Sequence, residues 1–245
     1  MKIEEKKEEV KRTPEVNAPT TNMKLAFVEV RYKNKIVLPE DYLAKLPKKV
    51  ILFTNIQYHE QYTQIKEQIE KKGVDVISVR PKHAWNEGQI LGCSVEDWSE
   101  KGAEGFAYIG DGFFHPKAIL FENPQPVFMY DPESDKQYTL QQDDIKAILG
   151  KKKGALVTFY SKKNVGVLIT TKYGQSRLKE SYELEKLYPD KNFYYLLGDV
   201  IDFSTLEDFP FIDVFVNTAC PRIMDDHEKV PRPMLNIQDI NNKEW

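Results

Sequence analysis

From Met23 onward, apolar positions gather into short runs separated by polar or glycine-bearing stretches. Runs rich in β-branched and aromatic residues occur at Leu25–Val30, Val50–Thr54, Val74–Val79, Phe106–Ile109 and Val127–Tyr130, each of strand length. Between the second and third, Tyr58, Tyr62, Ile65 and Ile69 recur at steps of four, three and four, which marks one face of a helix. Gly73 supplies its stop. A buried strand, a one-sided helix and another buried strand make a βαβ unit, so a parallel sheet is expected here. A second alternation follows, with strands expected at Ala155–Phe159, Val165–Thr170, Phe193–Leu197 and Val214–Val216 and a helix near Ser176–Leu187. Glycine and three lysines interrupt the periodicity at Gly150–Gly154, where a boundary is expected.

The fold class that results is α/β: two similar three-layer α/β domains with mainly parallel sheets, residues 23–150 and 151–245. Residues 1–22 stand apart. Lys2, Lys6, Lys7, Lys11 and Arg12 balance Glu4, Glu5, Glu8, Glu9 and Glu15 with little apolar between them. Such a leader buries too little surface to offset the entropy of ordering, so disorder is expected.

Composition narrows the function classes. The chain has 245 residues, 41% hydrophobic and 30% charged, which suffices for a sizeable core. Its 35 basic and 38 acidic residues leave a net charge of −3, which gives no electrostatic basis for direct nucleic-acid or anionic-membrane binding. The longest apolar runs, such as Val50–Phe53, fall far short of the ~18 residues a spanning helix needs. No apolar segment of secretory type follows Met1, and two cysteines argue against a disulfide framework. A soluble, cytoplasmic protein is expected.

In open α/β sheets ligands gather where strands end, and four such places carry chemistry. The first is Gly88–Cys93, where glycines let the backbone approach a ligand and leave the thiol uncrowded; a small buried cysteine explains it equally well. The second, Gly110–Asp111–Gly112 running into Phe113–Phe114–His115–Pro116, joins a strand to a helix beginning near Pro116 and so offers free N–H groups to an anion; a tight turn is the plainer explanation. The third, Thr170–Arg177, places two cations and several hydroxyls at a helix start, which suits a carboxylate or phosphate as it suits a solvated turn. In the fourth, Thr218–Arg222, Pro221 restricts Cys220 to extended geometry, and Arg222 favours thiolate. Neither cysteine belongs to a CxxC pair, so their spacing is uninformative about metal; two thiolates meeting between domains would select zinc or an iron–sulfur cluster. There is no nucleophile elbow, His-Glu-x-x-His, Walker loop or Gly-x-Gly-x-x-Gly, and His59, His83, His115 and His227 are scattered.

Together, Gly88–Cys93, Gly110–Pro116, Gly174–Gln175 with Arg177, and Thr218–Arg222 resemble, in order, the archaeal diphthamide synthase family, the 2-(3-amino-3-carboxypropyl)histidine synthases. The resemblance covers about residues 24–240, and Phe27–Arg31 is similar to the opening of that family's second domain. It implies a dimeric, three-domain enzyme in which each domain gives one cysteine to a 4Fe–4S cluster and S-adenosylmethionine binds at the open iron. The implied reaction transfers a 3-amino-3-carboxypropyl radical to a histidine of translation elongation factor 2, the first step of diphthamide biosynthesis. By resemblance Cys93 and Cys220 are metal ligands, and Gly174, Gln175 and Arg177 contact S-adenosylmethionine. Radical generation needs no general acid or base, so no catalytic residue is named.

The chain departs from the family in lacking its first domain and first cysteine. In order of preference, a separate chain supplies that domain and the third cysteine, or the third ligand is not cysteine, or the chemistry is lost. Two rival readings are a non-catalytic accessory or electron-relay subunit of a diphthamide synthase complex, and quinolinate synthase, which has a similar three-cysteine plan but matches these segments less well.

Overall fold

A computed structural model of the chain describes residues 30–93, 96–172, 175–221, 223, 230 and 232–240. The charged leader and most of the expected strand at Leu25–Val30 lie outside the described residues.

The first sheet contains β1 (Lys49–Thr54), β2 (Asp75–Ile77), β3 (Gly105–Ile109), β4 (Val127–Asp131) and β5 (Lys136–Leu140), in the order β2-β1-β3-β4-β5. Its first four strands are parallel and β5 returns antiparallel to β4. The alternation along β1 explains the layering. Val50 and Leu52 face a cluster with Tyr62, Ile65 and Ile69 of helix α2 (Tyr62–Glu70) and Tyr42 and Leu43 of the short α1 (Glu40–Leu43). Ile51 and Phe53 face the other side, against Ile90, Trp98 and Ile119 and Leu120 of α3 (Phe114–Leu120). Helix α2 carries the expected stripe from Tyr62 onward, while Tyr58 lies ahead of it, before a 3-10 turn at His59–Gln61, and the chain leaves the helix at Gly73 with φ of 80°.

The second sheet holds β6 (Asn164–Thr170), β7 (Asn192–Gly198), β8 (Val214–Asn217) and β9 (Met234–Asn236), all parallel, in the order β7-β6-β8-β9. Val165, Val167 and Ile169 of β6 pack beneath helices α4 (Lys146–Ser161) and α5 (Leu178–Leu187), while Leu168 and Phe215 face Leu206, Ile212 and Met234. The α/β architecture with two mainly parallel sheets is therefore present.

One expected element is different. Ala155–Phe159 is not a strand but the second half of α4, which runs unbroken through the Gly150–Gly154 segment. Val157, Thr158 and Phe159 suggest a strand by type, but the burial is one-sided: Ala155 and Phe159, four residues apart, face the second core while Val157 is exposed. The same helix begins at the first core, which holds Ile145 and receives Leu149. It thus forms a continuous connection between the two sheets.

Both sheets have a topological switch point. In the first, β1 leads outward to β2 and the chain crosses back to β3, so the crevice lies beyond Thr54 and Ile109. In the second, β6 leads to β7 and returns to β8, so it lies beyond Thr170 and Asn217.

Candidate functional site

The Cys93 loop is fastened to the end of β1. Thr54 donates its backbone N–H to the Gly88 carbonyl at 2.8 Å and accepts from Ile90 N at 2.9 Å. Gly88 has φ of 73°, and a Cβ there would run into the Tyr62 ring, so the position needs glycine on both counts. The Gln89 side chain is buried, and its Oε1 accepts from the backbone N–H groups of Trp85 and Asn86 at 3.2 and 3.1 Å. At Gly92 a Cβ would collide with the ring of Phe114, so this loop packs directly on the Gly110–Pro116 segment that follows β3. Cys93 emerges from this contact with an exposed residue surface.

Cys220 sits three residues beyond β8, partly buried. Buried Asn217 and Thr218 fix its path. Asn217 Nδ2 donates to the Cys220 carbonyl at 3.0 Å and to Asn236 Oδ1 at 2.8 Å, and its Oδ1 accepts from Ala219 N at 3.0 Å. Thr218 Oγ1 donates to the Leu168 carbonyl of β6 at 2.8 Å. Both residues belong to the strand-end run that leads to Cys220, which the sequence motif marks for its thiol and not for these two side chains.

Cys220, 127 positions away in sequence, lies within electrostatic reach of the Cys93 thiol. Burial pushes the Cys93 thiol above its ordinary value; a backbone hydrogen bond lowers it, the charge of Cys220 raises it and the Arg177 guanidinium lowers it. Cys220 and Arg177 therefore both lie within electrostatic reach of Cys93. Arg177 is half-buried at the N-cap of α5, where its carbonyl accepts from Ser181 N and Oγ at 3.0 and 2.8 Å. Gln175 is exposed, its N–H donating to the Lys172 carbonyl at 3.1 Å, while Gly174 and Arg222 lie outside the described residues.

Sequence reading also passes over Asn55, directly after β1. Its Nδ2 donates to Asp111 Oδ1 at 2.7 Å, which links the ends of β1 and β3. Among the described residues no three His, Cys, Asp or Glu side chains come together as a metal site. The donor set is two thiols, half of a cluster's usual complement of four. It fits an iron–sulfur group as a partial set completed from elsewhere. No helix among the described residues is long and apolar enough to cross a membrane.

Known proteins share this fold. The fold is similar to Dph2 from Pyrococcus horikoshii, solved with a 4Fe–4S cluster, with a TM-score of 0.67 and 25% identity over 82% of this chain and 58% of that one. In sequence the chain is 29% identical over 203 residues to the 2-(3-amino-3-carboxypropyl)histidine synthase of Pyrococcus horikoshii, covering 81% of this chain and 58% of that protein. It is 31% identical over 163 residues to subunit 1 of the Homo sapiens enzyme of that name, covering 65% of this chain and 37% of that protein. The chain thus spans about half the length of such relatives. The model of the diphthamide synthesis protein family matches residues 13–242, and the chain belongs to that family.

Proposed function

We propose that this chain forms two domains of a 2-(3-amino-3-carboxypropyl)histidine synthase, with Cys93 and Cys220 as two protein ligands of a 4Fe–4S cluster. The observation that carries this reading is that Cys220 and Arg177, from the strand-end loops of the second sheet, both lie within electrostatic reach of the Cys93 thiol at the end of the first. The relative solved with a 4Fe–4S cluster supports the choice of group. The third cysteine comes from a domain outside these two, and the residues are divided between domains at 23–150 and 151–245.

When bound between Cys93 and Cys220, the cluster would supply the reducing electron for breaking the C–S bond of S-adenosylmethionine, with methylthioadenosine as leaving group and the 3-amino-3-carboxypropyl group going to a histidine of translation elongation factor 2 in the cytoplasm. This chain's residues do the positioning. Arg177 and the N-terminus of α5, with Gly174 and Gln175 just ahead of them in the sequence, hold the substrate carboxylate, since a cation and helix-start N–H groups complement negative charge. Asn217 and Thr218 hold the Cys220 turn, and the packing of Gly92 on Phe114 holds that of Cys93.

The test is iron and labile sulfide per chain after anaerobic reconstitution, alone and with the chain carrying the first domain. The expected result is little iron alone and about four irons per assembled pair, lost in Cys93→Ala and in Cys220→Ala. Full iron loading that survives either substitution sinks the ligand assignment. The two-thiol donor set also favours a second reading, an accessory or electron-relay subunit, which predicts iron binding without S-adenosylmethionine cleavage.

A further inference from the structure

The switch point of the first sheet holds a group of polar side chains that the thiol site leaves unused. Asn55 Nδ2 donates to Asp111 Oδ1, and an ionised carboxylate only accepts, so this bond fixes which end of the amide faces Asp111. Asn55 Oδ1 therefore points elsewhere, and it is buried with no hydrogen-bond partner. Tyr58, three residues on, is 0% exposed, and its hydroxyl is likewise buried and unpartnered.

These orphans share one neighbourhood. The Tyr58 hydroxyl lies within electrostatic reach of Asp111, Asp131 and Glu133, at the ends of β3 and β4, and its ring is 5.0 Å from that of Tyr32. The Tyr108 hydroxyl donates to the Asp111 carbonyl at 3.2 Å. A Cβ on Gly110 would stand 2.7 Å from the Tyr108 oxygen and 3.3 Å from Asn55 Nδ2, so only glycine lets these groups converge. Buried polar atoms carry their full desolvation cost when unpaired, and two in one place call for a partner.

The chemistry of the lining selects that partner. Asn55 Oδ1 is a pure acceptor, the Tyr58 hydroxyl accepts as well as donates, and the facing charges are carboxylates. An anion is repelled; a small donor with positive charge satisfies all of them. The group also borders the thiol site, because Gly92 packs on Phe114, three residues after Asp111.

We propose that Asn55, Tyr58 and Asp111 form a subsite for a primary ammonium, and that its occupant is the α-amino group of S-adenosylmethionine. The occupant's identity rests on the function proposed above. S-adenosylmethionine carries an ammonium and a carboxylate on one carbon, so separate sites for the two groups would fix which way the reacting chain points.

The test is equilibrium binding of S-adenosylmethionine, and of its analogue lacking the α-amino group, to the full chain reconstituted with iron, sulfide and its partner chain. The analogue is expected to bind the wild type ~10-fold more weakly, as befits a lost charge-assisted hydrogen bond. Asp111→Asn and Tyr58→Phe are expected to weaken S-adenosylmethionine by a similar factor, leave the analogue unchanged and leave iron content unchanged. Tyr58→Phe removes an oxygen that bonds to nothing in the free protein, so folding does not obscure the result. Equal affinity of both ligands for the wild type overturns the subsite alone. Equal weakening of both in the variants, or a higher Tm in Tyr58→Phe with binding unaffected, also overturns it and leaves water as the occupant. If neither ligand binds the wild type, the proposed function fails, and the occupant fails with it.

Discussion

The ring of Phe114 occupies the space that a Cβ on Gly92 would need. One residue before Cys93, the loop is therefore pressed onto the start of α3, and the thiol's position depends on the smallest side chain at 92. Gly92→Ala forces the ring aside. Overpacking of this kind costs about 1–3 kcal/mol, or a Tm fall of roughly 2–10 °C for a chain of this size. Phe114→Leu makes room, so the double variant Gly92→Ala/Phe114→Leu should recover much of the loss that the single variants sum to. Strict additivity in thermal unfolding would mean that the two residues do not touch.

The thiols provide a test that needs no cofactor. In the metal-free chain the Cys93 thiol holds its proton to higher pH than an ordinary thiol, chiefly because of burial. Its contribution to stability is present below the ordinary thiol pKa and is lost as pH rises through the higher folded value. Cys220→Ala removes a like charge and should lower the midpoint of Cys93 alkylation by iodoacetamide, while Arg177→Met removes a favourable cation and should raise it. Peptide-resolved mass spectrometry across pH reads both shifts. A midpoint that ignores both substitutions would separate the three residues that the site requires together.

Legibility in the sequence follows the kind of burial each element has. Strands β1, β3, β6 and β8 are buried on both faces and appear as uninterrupted apolar runs. Strand β5 does not, because it is an edge strand reading Lys-Gln-Tyr-Thr-Leu with only Leu140 buried. The hairpin before it turns at Asp135, with φ of 52°, rather than at a glycine. Strand β9 has three residues and lies just after Pro231 and Pro233, too short to show a period. At the site, Cys93 and Cys220 are marked by glycine and proline neighbours, yet no spacing rule brings them together. Their meeting depends on which strand ends adjoin the crevices. Asn55 and Tyr58 leave no motif, since their role appears only once β1 and β3 are neighbours.

Lys191 closes the far end of α4. It is buried (9% exposed), donates from Nζ to the Lys162 carbonyl at 2.9 Å and the Tyr160 carbonyl at 3.5 Å, and lies 5.0 Å from the centre of the Phe159 ring. A cation on the last carbonyls of a helix satisfies acceptors that the helix leaves open. Lys191→Met keeps the stem's packing and removes the donors, so stability should fall by about 1–3 kcal/mol. Urea unfolding with an unchanged m-value would assign the loss to this cap; no change in midpoint would mean that water replaces the ammonium at no cost.

The continuity of α4 makes the sharpest prediction about the backbone. Gly150 and Gly154 lie inside the helix, and a Cβ on either meets nothing within 4 Å. Each glycine costs a helix interior up to about 1 kcal/mol relative to alanine, and no neighbour obstructs the methyl. Gly150→Ala and Gly154→Ala should therefore each raise Tm by roughly 2–4 °C, with effects that add. Gly166 is the contrasting control: a Cβ there would stand 2.6 Å from the Phe215 ring and 2.8 Å from Ile212, so Gly166→Ala should lower Tm. A Tm that falls in Gly150→Ala or Gly154→Ala would mean that the helix breaks at the lysine run. The two sheets would then be joined by a hinge rather than by the continuous helix seen here.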